Sequence, residues 1–179
     1  MKVFIGGSRR VSRLDEQVKG RLDEIIRKHL PVIIGDAKGA DRAVQDYFRQ
    51  RAYEQVEVFC TEGRCRNNAG NWKIRPVPAP AGRKRDFEYY AAKDHVMADQ
   101  SSIGFMLWDG KSRGTLANVL RLIEQGKKVV VYLASSKQFT TLRNMSDWDQ
   151  FNRNTHLGTA HHEIAVDPQR RGSRESGLF

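Results

Sequence analysis

Three short segments carry residue types that bind anions: "GGSRR" (6–10), "GDAKGAD" (35–41) and "DGKSRGT" (109–115). In the third, Gly110 and Gly114 let backbone approach a ligand closely, while Ser112, Thr115 and the free amides of a following helix can donate to phosphate oxygens. Arg113 adds charge beside them. In the first, Gly6 and Gly7 relieve crowding, and Ser8 and Arg9 can donate to the same anion. The second offers Gly39 for a tight turn and two carboxylates, Asp36 and Asp41. The chemistry expected is the holding of a phosphorylated ligand. Carboxylates that could act on it are Asp36, Asp94 and Asp109, although Asp36 and Asp41 can equally cap backbone amides.

The elements around these segments alternate in period. "KVFIGG", "PVIIGD", "VEVFC", "SIGFMLWDG" and "KVVVYL" are apolar runs of strand length. Between them lie helical patterns: Leu14, Val18, Leu22, Ile25 and Ile26 after Ser12, which is expected as N-cap with Asp15 near the first turn. Ala43, Val44, Tyr47 and Phe48 form the second, Phe87, Tyr90 and Ala91 the third, and Leu116, Val119, Leu120 and Ile123 the fourth. Asp94 falls near the apolar side of the third helix, an unusual place for a carboxylate. Such alternation implies crossover connections and an α/β, Rossmann-like three-layer sandwich on a mostly parallel sheet of five strands or slightly more. Ligands of such sheets bind beyond the carboxyl ends of the strands, and all three glycine-bearing segments follow strands.

Residues 61–82, with three of the five prolines in "RPVPAP", are expected to form a long surface loop. A Rossmann-like domain is expected over 1–134. An extension follows over 135–179, with "MSDWDQFNRN" as a short helix anchored by Trp148 and Phe151 and "DPQRRGSRESGLF" of disordered composition. The extension is expected to be partly disordered or to pack on the domain or a partner, and could serve oligomerisation, ligand gating or neither. His161 and His162 read as solvated tail residues.

The chain of 179 residues suits one domain, and 39% hydrophobic with 29% charged residues is a globular balance. No apolar stretch is long enough to span a bilayer, and "MKVFIGGS" is too short an apolar run for a signal peptide, so a cytoplasmic protein starting here is expected. The net charge of +10 favours anionic partners. Cys60 and Cys65 are too few for a secreted disulfide framework, and "CTEGRC" has no adjacent histidine pair, so no metal and no further cofactor is implied. The tract "EGRCRNNAGNWKIR", in which Trp72 could stack a base, leaves nucleic acid as an alternative partner.

The ordered set "IGGSR", "GDAKGAD" and "WDGKSRGT" resembles the SLOG superfamily, the Rossmann-like nucleotide-binding group that includes the LOG phosphoribohydrolases and the DNA-processing proteins of natural transformation. The likeness is closest to its small bacterial branch and covers about residues 1–133. It implies a pocket for a nucleotide or nucleotide-derived ligand, carried by Gly7, Ser8, Arg9, Gly39, Asp41, Ser112, Gly114 and Thr115. LOG enzymes place a catalytic glutamate three residues after the threonine, where this chain has Asn118. An amide cannot serve as a carboxylate acid or base, so LOG-type N-glycoside hydrolysis does not follow from the likeness. The family's Gly-Arg-Asn helix opening has only rough counterparts in Arg83 and Arg85, which makes Arg85 a further candidate phosphate partner.

Overall fold

The structure is a computed structural model and describes residues 1–79 and 87–155. Arg83, Arg85, the paired histidines and the tail "DPQRRGSRESGLF" lie outside the described residues. Seven strands form one sheet in the order β4-β3-β2-β1-β5-β6-β7. They are β1 (Val3–Gly7), β2 (Val32–Ile34), β3 (Val56–Thr61), β4 (Lys73–Val77), β5 (Ile103–Trp108), β6 (Lys128–Leu133) and β7 (Gln138–Leu142). Every pairing is parallel except that of β6 with β7. The helices are α1 (Glu16–Arg27), α2 (Ala40–Gln50), α3 (Phe87–Gln100), α4 (Arg113–Glu124) and α5 (Met145–Asn154).

Side-chain alternation along the central strands divides the core in two, as the period of two in a strand requires. Val3, Ile5, Val32, Ile34, Val58 and Leu107 pack with Val18, Leu22, Val44 and Phe48 of α1 and α2 on one face. Phe4, Ile33, Phe59 and Met106 pack with Met97, Leu116, Val119 and Leu122 of α3 and α4 on the other. A sheet covered on both faces explains why β2 is a continuous buried run with no polar position. No helix among the described residues is long and apolar enough to cross a membrane.

Two local expectations are corrected. Helix α1 begins one turn later than its expected cap: Asp15, not Ser12, is the N-cap and accepts the Gln17 amide. Residues 61–82 are not loop throughout, because Lys73–Val77 adds β4 to the edge of the sheet. Pro76 sits there opposite Cys60 at the outer margin, where a missing N–H interrupts no ladder. Over its described length the C-terminal extension packs on the domain, and "MSDWDQFNRN" forms the expected short helix. Strand β7 turns back on β6, and Trp148 and Phe151 of α5 bury against the α4 face, Phe151 with its ring centroid 5.6 Å from that of Trp108.

The chain lays β2, β3 and β4 outward on one side of β1, then returns to place β5 on the other. The order reverses at β1, so the loops leaving β1 and β5 open a crevice between them at the carboxyl edge.

Candidate functional site

Backbone closeness sets the crevice. Gly7 pairs with Leu107 across β1 and β5, and a Cβ there would collide with the Leu107 carbonyl and stand 2.8 Å from the Ala40 Cβ. Gly39 has φ +81 and lies against the Arg9 backbone, so both conformation and space demand glycine. With Gly39 in place, the Ala40 amide reaches the Ser8 carbonyl at 3.2 Å and the first two loops touch.

A hydroxyl cluster ties the first loop to the third. Ser8 Oγ donates to Asp109 Oδ1 at 3.0 Å, accepts the Asp109 amide at 3.1 Å, and lies 3.1 Å from Thr115 Oγ1. Thr115 Oγ1 donates to Ser112 Oγ at 3.0 Å, and Ser112, the N-cap of α4, accepts the Thr115 amide. Asp109 Oδ1 also takes the amides of Lys111 and Ser112. Burial would push the Asp109 carboxyl up, but these donors outweigh it and hold it below the usual carboxylate range. Helix α4 thus begins with its Lys111, Ser112 and Thr115 amides satisfied internally, while those of Arg113 and Gly114 have no acceptor among the described residues.

The cavity enclosed by these loops and by α3 measures about 790 Å³. Of the residues expected from sequence, Gly6, Gly7, Arg9, Asp41, Ser112, Arg113, Gly114, Thr115 and Asp94 line it. Ser8, Asp36, Gly39, Asp109 and Gly110 stand behind the lining: Ser8 and Asp109 stitch the loops, Gly39 spaces them, and Gly110 takes φ +82 in the turn after β5.

Asp36 is held by a residue from the segment after β3. Arg66 gives it the backbone amide at 3.0 Å, Nε at 3.0 Å and Nη2 at 2.6 Å, while Asn67 caps the Asp36 carbonyl. Burial opposes ionisation of Asp36, but the Arg66 hydrogen bonds prevail and lower its pKa. The Arg66 guanidinium lies 4.5 Å from the Tyr90 ring centroid and enters the cavity wall, with Arg9 at 5.8 Å from the same ring. Just before Arg66, Cys65 is joined to Cys60 of β3 by a disulfide. Among the described residues no group of three or more His, Cys, Asp and Glu could hold a metal ion.

The floor is charged and largely buried. Helix α3 buries Tyr89, Lys93 and Met97, four residues apart, which places its inner face one residue away from the expected Tyr90 side and turns Lys93 inward. Lys93 Nζ donates to Asp94 Oδ1 at 2.7 Å; Asp94 Oδ2 accepts Asn118 Nδ2 at 3.0 Å, and Asn118 Oδ1 accepts Arg121 Nη1 at 2.6 Å. Asp41 sits in the first turn of α2, where Oδ2 accepts the Ala37 amide at 3.1 Å. Burial pushes its carboxyl up to about 6 against the pull of Lys93. Burial also opposes the charge on Lys93, but Asp94 and Asp41 outweigh it, so the ammonium stays charged.

Sequence reasoning missed Lys93, Arg66, Lys111, Arg10 and Gly35 as cavity residues. Arg66 lay inside the tract assigned to nucleic acid. In that tract Trp72 is itself buried at 6% exposure, with Nε1 donating to the Tyr53 carbonyl, so it offers no face for stacking a base. Comparison with protein-family models, with curated proteins and with solved structures found no match.

Proposed function

We propose that this chain binds a nucleotide or nucleotide-derived phosphorylated ligand in the crevice between the loops of β1, β2 and β5. The observation that carries the reading is the rim of the cavity. Arg9, Arg10, Lys111 and Arg113 reach it without a carboxylate partner among the described residues, beside the two unsatisfied amides of α4. Cations with no internal partner, aimed at the start of a helix, suit an oxyanion. The likeness to SLOG proteins in the three loop motifs points the same way. The direct test is calorimetric titration with inorganic phosphate and nucleoside mono- and diphosphates, joined to mass spectrometry of small molecules released on denaturation. Micromolar binding of a phosphorylated probe is the expected result, and no heat with any probe defeats the reading.

A second reading, hydrolysis or transfer at the N-glycosidic bond of a nucleoside phosphate, is favoured by one contact. Asp94 Oδ2 takes the Asn118 amide, so a carboxylate from α3 stands beside the α4 position where LOG enzymes carry their glutamate. Release of free base from a nucleoside monophosphate, abolished by Asp94→Asn, would select this reading. Asp36 and Asp109 are weaker candidates for such a role, because their oxygens already accept several internal donors.

A further inference from the structure

Below its cationic rim the cavity changes character. Asp41 comes from α2 and Lys93 from α3, yet both reach one place on the floor: a Cβ on Gly35 would stand 2.5 Å from Asp41 Oδ2 and 3.1 Å from Lys93 Nζ. Gly35 has no positive φ, so conformation does not require glycine there; what glycine supplies is the space between the two charged ends. Asp41 is 6% exposed and Lys93 5%. Each is only partly satisfied: Asp41 has the Ala37 amide on Oδ2 and nothing on Oδ1 among the described residues, and Lys93 has Asp94 alone. A desolvated carboxylate holding one donor keeps free acceptor capacity, and an ammonium holding one acceptor keeps free donors.

The balance of charge decides what can enter. A second phosphate is disfavoured, since Asp41 and Asp94 both face the place where it would sit and only Lys93 attracts it. With Asp94 already paired to Lys93 at 2.7 Å, a cation would find Asp41 alone, beside the Lys93 ammonium. A purely apolar group would leave both charged ends dry and unpaired. What fits is an uncharged group with a hydrogen-bond donor beside an acceptor, flanked by the apolar lining of Phe4, Ala91 and Met97.

We propose that the Asp41–Lys93 notch over Gly35 reads the uncharged polar end of the ligand, Asp41 accepting its donor and Lys93 donating to its acceptor. The proposal rests on the reading of the cavity as a site for a phosphorylated ligand, with the phosphate at the rim. Two sources share this chemistry: adjacent hydroxyls of a sugar, and the amino-imino edge of a base.

Calorimetric titrations of the full chain, its Asp41→Asn variant and its Gly35→Ala variant test it. The probes are inorganic phosphate, ribose 5-phosphate, 2-deoxyribose 5-phosphate, AMP, and the purine ribonucleotide that lacks the 6-amino group. Asp41→Asn keeps size and an oxygen for the Ala37 amide, so a folded protein is expected. It should weaken ribose 5-phosphate or AMP by about tenfold or more while leaving inorganic phosphate unchanged. Gly35→Ala should do the same by filling the notch. Dependence on the 2-hydroxyl assigns the notch to the sugar; dependence on the 6-amino group assigns it to the base. Affinity for the sensitive probe should also fall more steeply below about pH 6 in the wild type than in Asp41→Asn, the second ionisation of the phosphate monoester, at about pH 6, being common to both. The groups facing Asp41 in that titration are Lys93 and Asp94 of α3, Asp36 and the Ala37 amide. Binding of phosphate and of the larger probes that neither variant alters would overturn the notch and leave the phosphate site standing. Failure of every probe, phosphate included, would remove both.

Discussion

A buried carboxyl group that holds few hydrogen bonds should cost stability, and Asp41 gives that cost a measurable size. Its folded value of about 6 lies above the ordinary 3.8. A raised folded pKa means that the folded state holds its proton more tightly than the unfolded chain does. The associated stabilisation is complete below about pH 3.8 and is lost as pH rises through about 6. At about 1.4 kcal/mol for each pH unit between the two values, ionising Asp41 in the folded protein costs about 3 kcal/mol at neutral pH. Asp41→Asn removes the titration and retains an oxygen for the Ala37 amide. The variant should therefore be more stable than the wild type by about 3 kcal/mol above pH 7, by less as pH falls through 6, and by almost nothing near pH 4. Urea unfolding of both proteins at intervals from pH 4.5 to 8 reads the difference directly. Other carboxylates, Asp36 and Asp109 among them, titrate alike in both proteins and cancel. A difference that does not change with pH, or a variant less stable at pH 7 than the wild type, would refute the reasoning, because Asp41 would then be ionised at little cost in its buried place.

Three further outcomes follow from contacts around the cavity. Arg66→Gln leaves the buried Asp36 carboxylate without its guanidinium and should lower stability by about 2 kcal/mol at pH 7. Because the Asp36 pKa is lowered, this loss should persist down to about pH 4 and shrink only as pH falls from the ordinary 3.8 through the lower folded value, so urea midpoints at pH 7 and at a series of points below pH 3.8 compare the two. Thr115→Val removes the hydroxyl shared with Ser8 and Ser112 and should cost about 1 kcal/mol in thermal unfolding. Arg9→Ala and Arg113→Ala, on loops far apart in sequence, should each weaken phosphate binding, and the double variant should depart from the sum of the two in calorimetry. Additive losses would mean that the two arginines do not meet one anion.

The fold was legible wherever burial was two-sided. β1, β2, β3, β5 and β6 lie inside the sheet and read as apolar runs, and the helices between them followed from their stripes. Both edge strands escaped for one physical reason. In β4, Lys73, Arg75 and Pro76 occupy an outer margin that needs neither apolar side chains nor every N–H, and β7, "QFTTL", buries only Leu142 fully. Composition at an edge is that of a loop, and only the pairing partner distinguishes the two. The anchors of α5 were legible because a tryptophan and a phenylalanine three residues apart in a polar stretch have to find cover.

At the site, glycine and hydroxyl positions were legible because close backbone approach and helix capping leave local marks. The charged floor was not, and the reason is energetic. Lysine is almost never fully buried without a partner, so Lys93 on the apolar stripe of α3 reads in isolation as an exposed position. Its burial is tolerable only because Asp94, next to it, and Asp41, from another helix, share the same small space. Likewise Arg66 closes on Asp36 from beyond a whole strand and helix. Each of these charges is explained by a neighbour that the fold supplies. The one whose demand is least met inside the protein, Asp41, lies where a ligand can meet it. A protein that needed Asp41 only for packing would be better served by asparagine, which keeps the Ala37 contact without the cost of ionisation. If stability rises and sugar or base recognition falls in the same Asp41→Asn variant, the carboxylate is retained for the ligand; if stability rises and recognition is intact, it is not.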